Sequence, residues 1–233
     1  MLSGMGSRSR GAVAVAVAAC ASSAGVGCGG THARLSLEAF GARANAVCVQ
    51  ERRASQQAMH TKEYERSRAR LRAAYGGLQP PPKRFEAAFA EFLRAFDKQT
   101  RAQLALRNNA RALATLRDAG VTNDLRKTGK ILSRDDRVAS ALVAEELADA
   151  RVEAARLRLP LRCGEKIRRS IREARLHNSV APMCAFYHPG VLAKALGVDA
   201  TEAKVAHALR ELTGLPRVEA ACLDGFAFQR RRG

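Results

Sequence analysis

The chain has 233 residues, and its 40 lysines and arginines outnumber its 22 acidic residues to give a formal net charge of +18. Tryptophan is absent, tyrosine and phenylalanine are scarce, and valine and isoleucine hardly form runs after residue 30, which disfavours a β-sheet. Alanine, leucine and arginine dominate and favour helix, so we predict an all-α fold. The positive charge has two explanations: a surface that attracts anions, or the arginine-rich composition that accompanies high genomic GC content.

Residues 1–27 are predicted to be a signal peptide, because two arginines precede an uncharged stretch rich in Ala and Val. Two cysteines in this region follow small residues, and each resembles the lipobox of bacterial lipoproteins, in which the cysteine carries a diacylglycerol. We favour Cys28 as the lipid attachment site, since it leaves the longer apolar segment and precedes two glycines. Cys20 is the alternative, with the better-formed box of small residues. The competing interpretation is an uncleaved or disordered Ala-rich arm.

A short polar tether, residues 28–35, leads to a predicted helix that begins after Ser36 and continues to about Tyr75. Its apolar residues recur at three- and four-residue steps: Leu37, Phe40, Ala44, Val47 and Cys48. A rigid turn of three prolines precedes a second helix, which we expect to end near Gly120. This helix carries half of the chain's eight phenylalanines and should form the densest part of the core.

A third helix is predicted from about Asp135 to Leu157, with Glu145 as the one polar residue on its apolar side. A strongly basic helix, Glu165 to His177, follows. Further helices are indicated by His188-Pro189 as a helix start, by a capping box at residues 199–202, and by glycines at positions 214 and 225. We predict an antiparallel helical bundle over residues 36–164, a small C-terminal helical unit over residues 165–226, and a basic tail over residues 227–233.

Four cysteines lie outside the leader: Cys48, Cys163, Cys184 and Cys222. An even number in an exported chain predicts disulfides, and four cysteines allow three pairings. We predict Cys48–Cys163, which would clamp the first helix to the end of the third, and Cys184–Cys222, which would close the C-terminal unit. The alternatives are free buried thiols in a cytoplasmic protein, or a zinc site made of Cys184, His188, His207 and Cys222, whose spacing matches no compact zinc motif.

Four motifs together resemble the small all-helical lipoproteins, mostly uncharacterised, of high-GC Gram-positive bacteria. They are Cys28-Gly29-Gly30, the AxANAxC-like segment Ala42 to Cys48, the segment Leu78 to Pro82 before a Phe-rich helix, and Leu157 to Gly164, close to a closing L-G-L-x-x-C. The resemblance covers residues 28–164 and implies an antiparallel bundle tied by Cys48 and Cys163. It implies no activity, and the region after Gly164 departs from the pattern.

The sequence contains no Gly-rich phosphate loop, nucleophile elbow, H-E-x-x-H or Glu-x-x-His motif. We therefore predict a non-catalytic binding or structural module without cofactor or metal, anchored by lipid to the outer face of the cell membrane. Anionic lipids or wall polymers are the expected contacts of its basic faces: Arg66, Arg68, Arg70, Arg72, Lys166, Arg168, Arg169, Arg172, Arg230 and Arg231. The alternatives are a cytoplasmic nucleic-acid-binding protein and a secreted hydrolase with an unrecognised site. The sequence gives no oligomeric state.

Overall fold

The computed structural model describes residues 34–55, 60–109, 114, 136–164 and 168–231. Within these ranges all regular secondary structure is helical, which confirms the predicted all-α fold. None of the helices in these ranges has the length and apolar character needed to cross a bilayer. The predicted signal peptide, most of the tether, the candidate lipid cysteines Cys20 and Cys28, and Lys166 lie outside the described residues.

The helices are named here in chain order. They are α1 (Leu37–Ser55), α2 (Thr61–Gly76), α3 (Glu86–Arg107), α4 (Asp136–Leu157), α5 (Arg169–Val180), α6 (Met183–Phe186), α7 (Pro189–Leu196), α8 (Glu202–Thr213) and α9 (Arg217–Arg230). The third predicted helix therefore corresponds to α4, and the basic helix to α5, which begins and ends later than expected. The predicted helix start at His188 and the predicted stop at Gly214 are both confirmed.

The prediction of one continuous first helix was wrong, because α1 and α2 are separate and pack against each other. His60 has an extended backbone, with φ −63° and ψ 154°, and precedes α2. Its N–H donates to Glu63 Oε2 over 3.2 Å, and the Glu63 N–H donates to the His60 carbonyl over 3.0 Å. These reciprocal bonds satisfy the first turn of α2. The fold-back lets side chains of α2 reach a carboxylate on α1.

Two other helix ends differ from the prediction. The helix α3 ends at Arg107, well before Gly120, and the expected continuation lies largely outside the described residues. The helix α9 does not stop at Gly225 but runs to Arg230, so much of the predicted basic tail is helical. A Cβ at Gly225 would lie 3.0 Å from backbone atoms of Cys184 and Ala185. The glycine therefore serves the close approach of α9 to α6 and not a helix end.

Residues 33–233 form one compact unit with two apolar clusters that share α4. The first cluster joins α1, α2 and α3 to the second half of α4, and Phe89, Phe92 and Phe96 are fully buried in it as predicted. The Tyr75 and Phe92 rings meet edge to face, with centroids 4.8 Å apart. The second cluster joins residues along the whole of α4 to helices α5–α9. The predicted boundary after residue 164 therefore does not divide the core.

Both predicted disulfides are present. The Cα atoms of Cys48 and Cys163 are 4.9 Å apart, and those of Cys184 and Cys222 are 5.1 Å apart. Because Cys184 and Cys222 are bonded to each other, they provide no thiolates for the zinc site considered from the sequence. In a chain-entropy description, bonds that close loops of this size stabilise a fold by about 4–5 kcal/mol each.

Candidate functional site

Glu51 on α1 has a buried carboxylate that lies between α1, α2 and α4, and the residue is 5 % exposed. One of its oxygens accepts a hydrogen bond from Arg68 Nη1 on α2 over 3.0 Å. The other accepts from Arg156 on α4 and, over 2.9 Å, from the hydroxyl of Tyr75 on α2. The three helices are thus joined through one side chain, and both carboxylate oxygens are satisfied inside the protein.

The charges of this cluster determine its protonation. Burial alone would raise the pKa of Glu51, but the guanidinium groups of Arg156 and Arg68 outweigh burial and hold the pKa below its usual value. Burial and the neighbouring Glu51 carboxylate raise the pKa of Tyr75, so its hydroxyl stays neutral and donates. Glu51 is therefore ionised at neutral pH and paired with two cations.

Arg68 was predicted to be a surface anion contact, and that prediction was wrong. The side chain is buried, and its guanidinium lies 3.7 Å from the centroid of the Phe96 ring. Besides Glu51, it donates to Thr100 Oγ1 over 3.0 Å and to Gln99 Oε1. All the hydrogen bonds that the Arg68 guanidinium donates go to residues of neighbouring helices. Its charge therefore stabilises the fold and does not serve an external ligand.

A cleft of about 580 Å³ opens beside this cluster and is lined by residues of α1–α4. On its α4 side, Asp149 Oδ1 accepts from Gln99 Nε2 over 2.8 Å and from Gln103 Nε2 over 3.1 Å. Gln103 Nε2 also donates to Glu145 Oε1 over 3.4 Å, and Gln103 Oε1 accepts a hydrogen bond from the Tyr64 hydroxyl. The lining therefore contains two carboxyl groups held by neutral amides, together with the Glu51 cluster and the arginines Arg52 and Arg107.

The carboxyl groups of α4 are perturbed in the direction opposite to Glu51. Burial, reinforced by the charge of Asp149, raises the pKa of Glu145 to about 7. Burial also raises the pKa of Asp149, which accepts a hydrogen bond from Glu145. The pKa of Glu146 is raised to about 7, chiefly by burial, although the Tyr187 hydroxyl donates to it over 3.0 Å. Glu145 and Glu146 therefore change protonation near neutral pH.

The sequence singled out Glu145 but missed Glu146 and Asp149. The only available signal was a set of acids at positions i, i+1 and i+4 in an Ala-rich helix, and such a pattern is usual for a solvated face. The described part of the chain contains no group of three or more His, Cys, Asp or Glu side chains suited to hold a metal ion. The carboxyl, amide and guanidinium groups that line the cleft can form hydrogen bonds with a polar group that enters it.

The other described residues predicted as anion contacts lie on α2, α5 and α9 or directly beside α5 and α9. Exposed side chains are those of Arg66, Arg70, Arg168, Arg169, Arg230 and Arg231, while Arg72 and Arg172 are partly buried. Arg72 pairs with Asp97 over 2.8 Å, Arg169 with Glu173 over 2.8 Å, and Arg230 with Glu202. Arg172 donates to the carbonyl of Leu161. Many of these cations are thus already bonded within the protein, which weakens each as an anion contact.

Comparison with protein-family models, with characterised proteins and with solved structures finds no match. The resemblance to helical lipoproteins therefore stays a prediction.

Replacing Arg68 by Ala is expected to destabilise the protein by about 3 kcal/mol or more, because it leaves Glu51 buried with only one of its two cations. Arg70 lies two residues away on the same helix and is exposed, so Arg70→Ala should change stability by no more than about 0.5 kcal/mol. Urea unfolding of the two variants and the wild type makes the comparison. Equal stability of the two variants would contradict the described role of Arg68.

Stability should fall as the pH rises from about 5 to about 8. Glu145 and Glu146 have a pKa of about 7 in the folded chain, above the ordinary value of 4.5. The folded chain therefore binds more protons than the unfolded chain across this window, and deprotonation favours unfolding. Each carboxyl accounts for up to about 3 kcal/mol. Denaturant unfolding across this range measures the slope.

Glu145→Gln should flatten this pH dependence, whereas Glu65→Gln, which removes an exposed acid of α2, should leave it unchanged. A stability that stays constant or rises over the same pH range in the wild type would contradict the raised pKa values.

Proposed function

We propose that this chain is an exported, lipid-anchored protein of the cell envelope whose helical body is a non-catalytic binding module. The observation that carries the proposal is the pair of disulfides, one in each apolar cluster. Disulfides form and persist in oxidising compartments and are rare in the cytoplasm. All four cysteines of the described residues are used in this way and are buried, which supports folding outside the cytoplasm.

The leader supports the same location. Its arginines precede an uncharged small-residue segment, and Cys28 follows it as the candidate for lipid attachment. The described residues begin at Arg34 and the first helix at Leu37, so only a short tether after Cys28 would separate the body from the membrane. Exposed cations such as Arg66 and Arg70 would add attraction to anionic lipids, and two such signals together give stable attachment.

The binding function is best placed in the cleft between α1–α4. Its volume of about 580 Å³ lies within the range of small-molecule sites. The half-buried carboxyl groups of Glu145 and Asp149 are bonded to neutral amides, and arginines line the same cleft, so a polar ligand with both donor and acceptor groups would find partners there. The bonded amide side chains would hold the carboxyl groups in position for such a ligand.

The two alternative functions receive less support. A cytoplasmic nucleic-acid-binding protein would not keep buried disulfides, and many of the predicted basic contacts are bonded to acids or carbonyls. For a secreted hydrolase, the carboxyl groups of Glu145 and Asp149 in the cleft serve a binding site equally well, and no contact among the described residues favours catalysis over binding.

Radioactive palmitate labelling in a bacterial host that processes lipoproteins tests the anchor. The wild-type precursor and Cys20→Ala should incorporate label, whereas Cys28→Ala should not, because only the processed cysteine receives the lipid. Cys20→Ala is the matched control, since it removes the other cysteine of the leader. Absence of label in the wild type, or undiminished label in Cys28→Ala, would contradict attachment at Cys28.

A further inference from the structure

A second cleft, of about 310 Å³, lies where side chains of α3, α4, α7 and α8 come together. Three of its lining residues are basic: Arg94 and Lys98 on α3, and Arg151 on α4. Arg94 and Lys98 are four residues apart in one helix, so their side chains lie on the same face. The cleft thus gathers three cations from two helices that pack closely against each other.

These three cations are not neutralised by the residues that the structure describes. None of them forms a hydrogen bond or an ion pair within that part of the chain. The two acids of the cleft are engaged with other arginines: Glu91 Oε2 accepts from Arg158 Nη1 over 2.6 Å, and Glu211 Oε1 from Arg210 Nη2 over 2.9 Å. The cleft therefore offers positive charge with its donors unused.

The guanidinium of Arg151 is the least favourably placed of the three cations in this cleft. Its side chain is partly buried, and burial lowers its pKa, which means that the surroundings do not compensate the charge. Elsewhere the protein pairs its buried arginines: Arg68 with Glu51, and Arg156 with Glu51 and Glu153. A partly buried guanidinium without an anion is a position that a bound anion would stabilise.

We propose that this cleft binds the phosphate group of a phosphate ester. Arginine presents a planar set of donors that suits phosphate oxygens, and Lys98 adds a point charge beside them. The remaining wall is apolar, with Leu196, Ala208 and Leu212, and would contact the organic part of the ester. This site lies apart from the cleft between α1–α4, and the inference requires neither that cleft nor the lipid anchor.

The test uses the full chain with Cys20→Ala and Cys28→Ala, so that attached lipid cannot contribute. Inorganic phosphate is titrated calorimetrically into this protein at low ionic strength. Arg94→Gln/Lys98→Gln removes two cations of the cleft. Arg43→Gln/Arg53→Gln is the matched control, because it removes two exposed cations from one helix, α1, that belong neither to the cleft nor to the predicted anion contacts. All substituted side chains are exposed, so the fold should be preserved.

We expect saturable phosphate binding that weakens at least about tenfold in the cleft variant and less than about twofold in the control. Arg151→Met should also lose binding, yet unfold at the same or a higher urea concentration, because it removes a charge without a described partner. The proposal would be overturned if the test protein with an intact cleft binds no phosphate, or if both double variants lose phosphate affinity equally.

The source of the phosphate is distinguished with vesicles of phosphatidylglycerol, with phosphatidylcholine vesicles as the comparison for surface charge. Binding to phosphatidylglycerol that free phosphate displaces, and that the cleft variant loses but the control retains, assigns a lipid headgroup. Phosphate binding that vesicles do not displace assigns a soluble or polymer-borne phosphate. Either result supports the site. If vesicles displace bound phosphate equally from the cleft variant and from the control, the proposal is contradicted.

Discussion

The junction between α1 and the segment after α4 is the constraint on which the rest of the structure depends. Cys48 is bonded to Cys163, and one turn earlier the Asn45 side chain accepts from the Cys163 N–H over 2.9 Å and donates to the Pro160 carbonyl over 3.1 Å. Cys163 has a φ of 51°, a conformation that non-glycine residues rarely adopt and that these contacts hold in place. With this junction fixed, Glu51, three residues after Cys48, faces Arg156.

Charged side chains of the central helix α4 lie in three different environments. Arg156 completes the buried pairing of Glu51, which leaves that carboxylate ionised with a pKa below its usual value. Asp149, two turns earlier, bonds to amides and lines the larger cleft, where burial raises the pKa of the carboxyl groups. Arg151 lies in the smaller cleft without a described acid partner. One helix therefore supplies a stabilising cation, a titrating acid and a cation available to a ligand.

Local pattern and topology predicted much of the fold, including α4, the Phe-rich core of α3 and both disulfides. The break between α1 and α2 was missed because residues 55–60 contain no proline or glycine, and the His60–Glu63 pair that begins α2 is not a usual start signal in sequence. Arg68 and Arg70 look alike in sequence, yet only Arg68 meets a carboxylate from another helix. The smaller cleft was missed for the same reason, since its cations come from positions more than fifty residues apart.

Mass spectrometry of the native protein without reduction tests the central claim most directly, because both the fold and the proposed location depend on the disulfide between Cys48 and Cys163. Proteolysis after alkylation of free thiols should yield one peptide pair linked through these two residues and a second linked through Cys184 and Cys222, with none of the four alkylated. Recovery of the native protein with Cys48 and Cys163 alkylated would contradict both the clamp and export to an oxidising compartment.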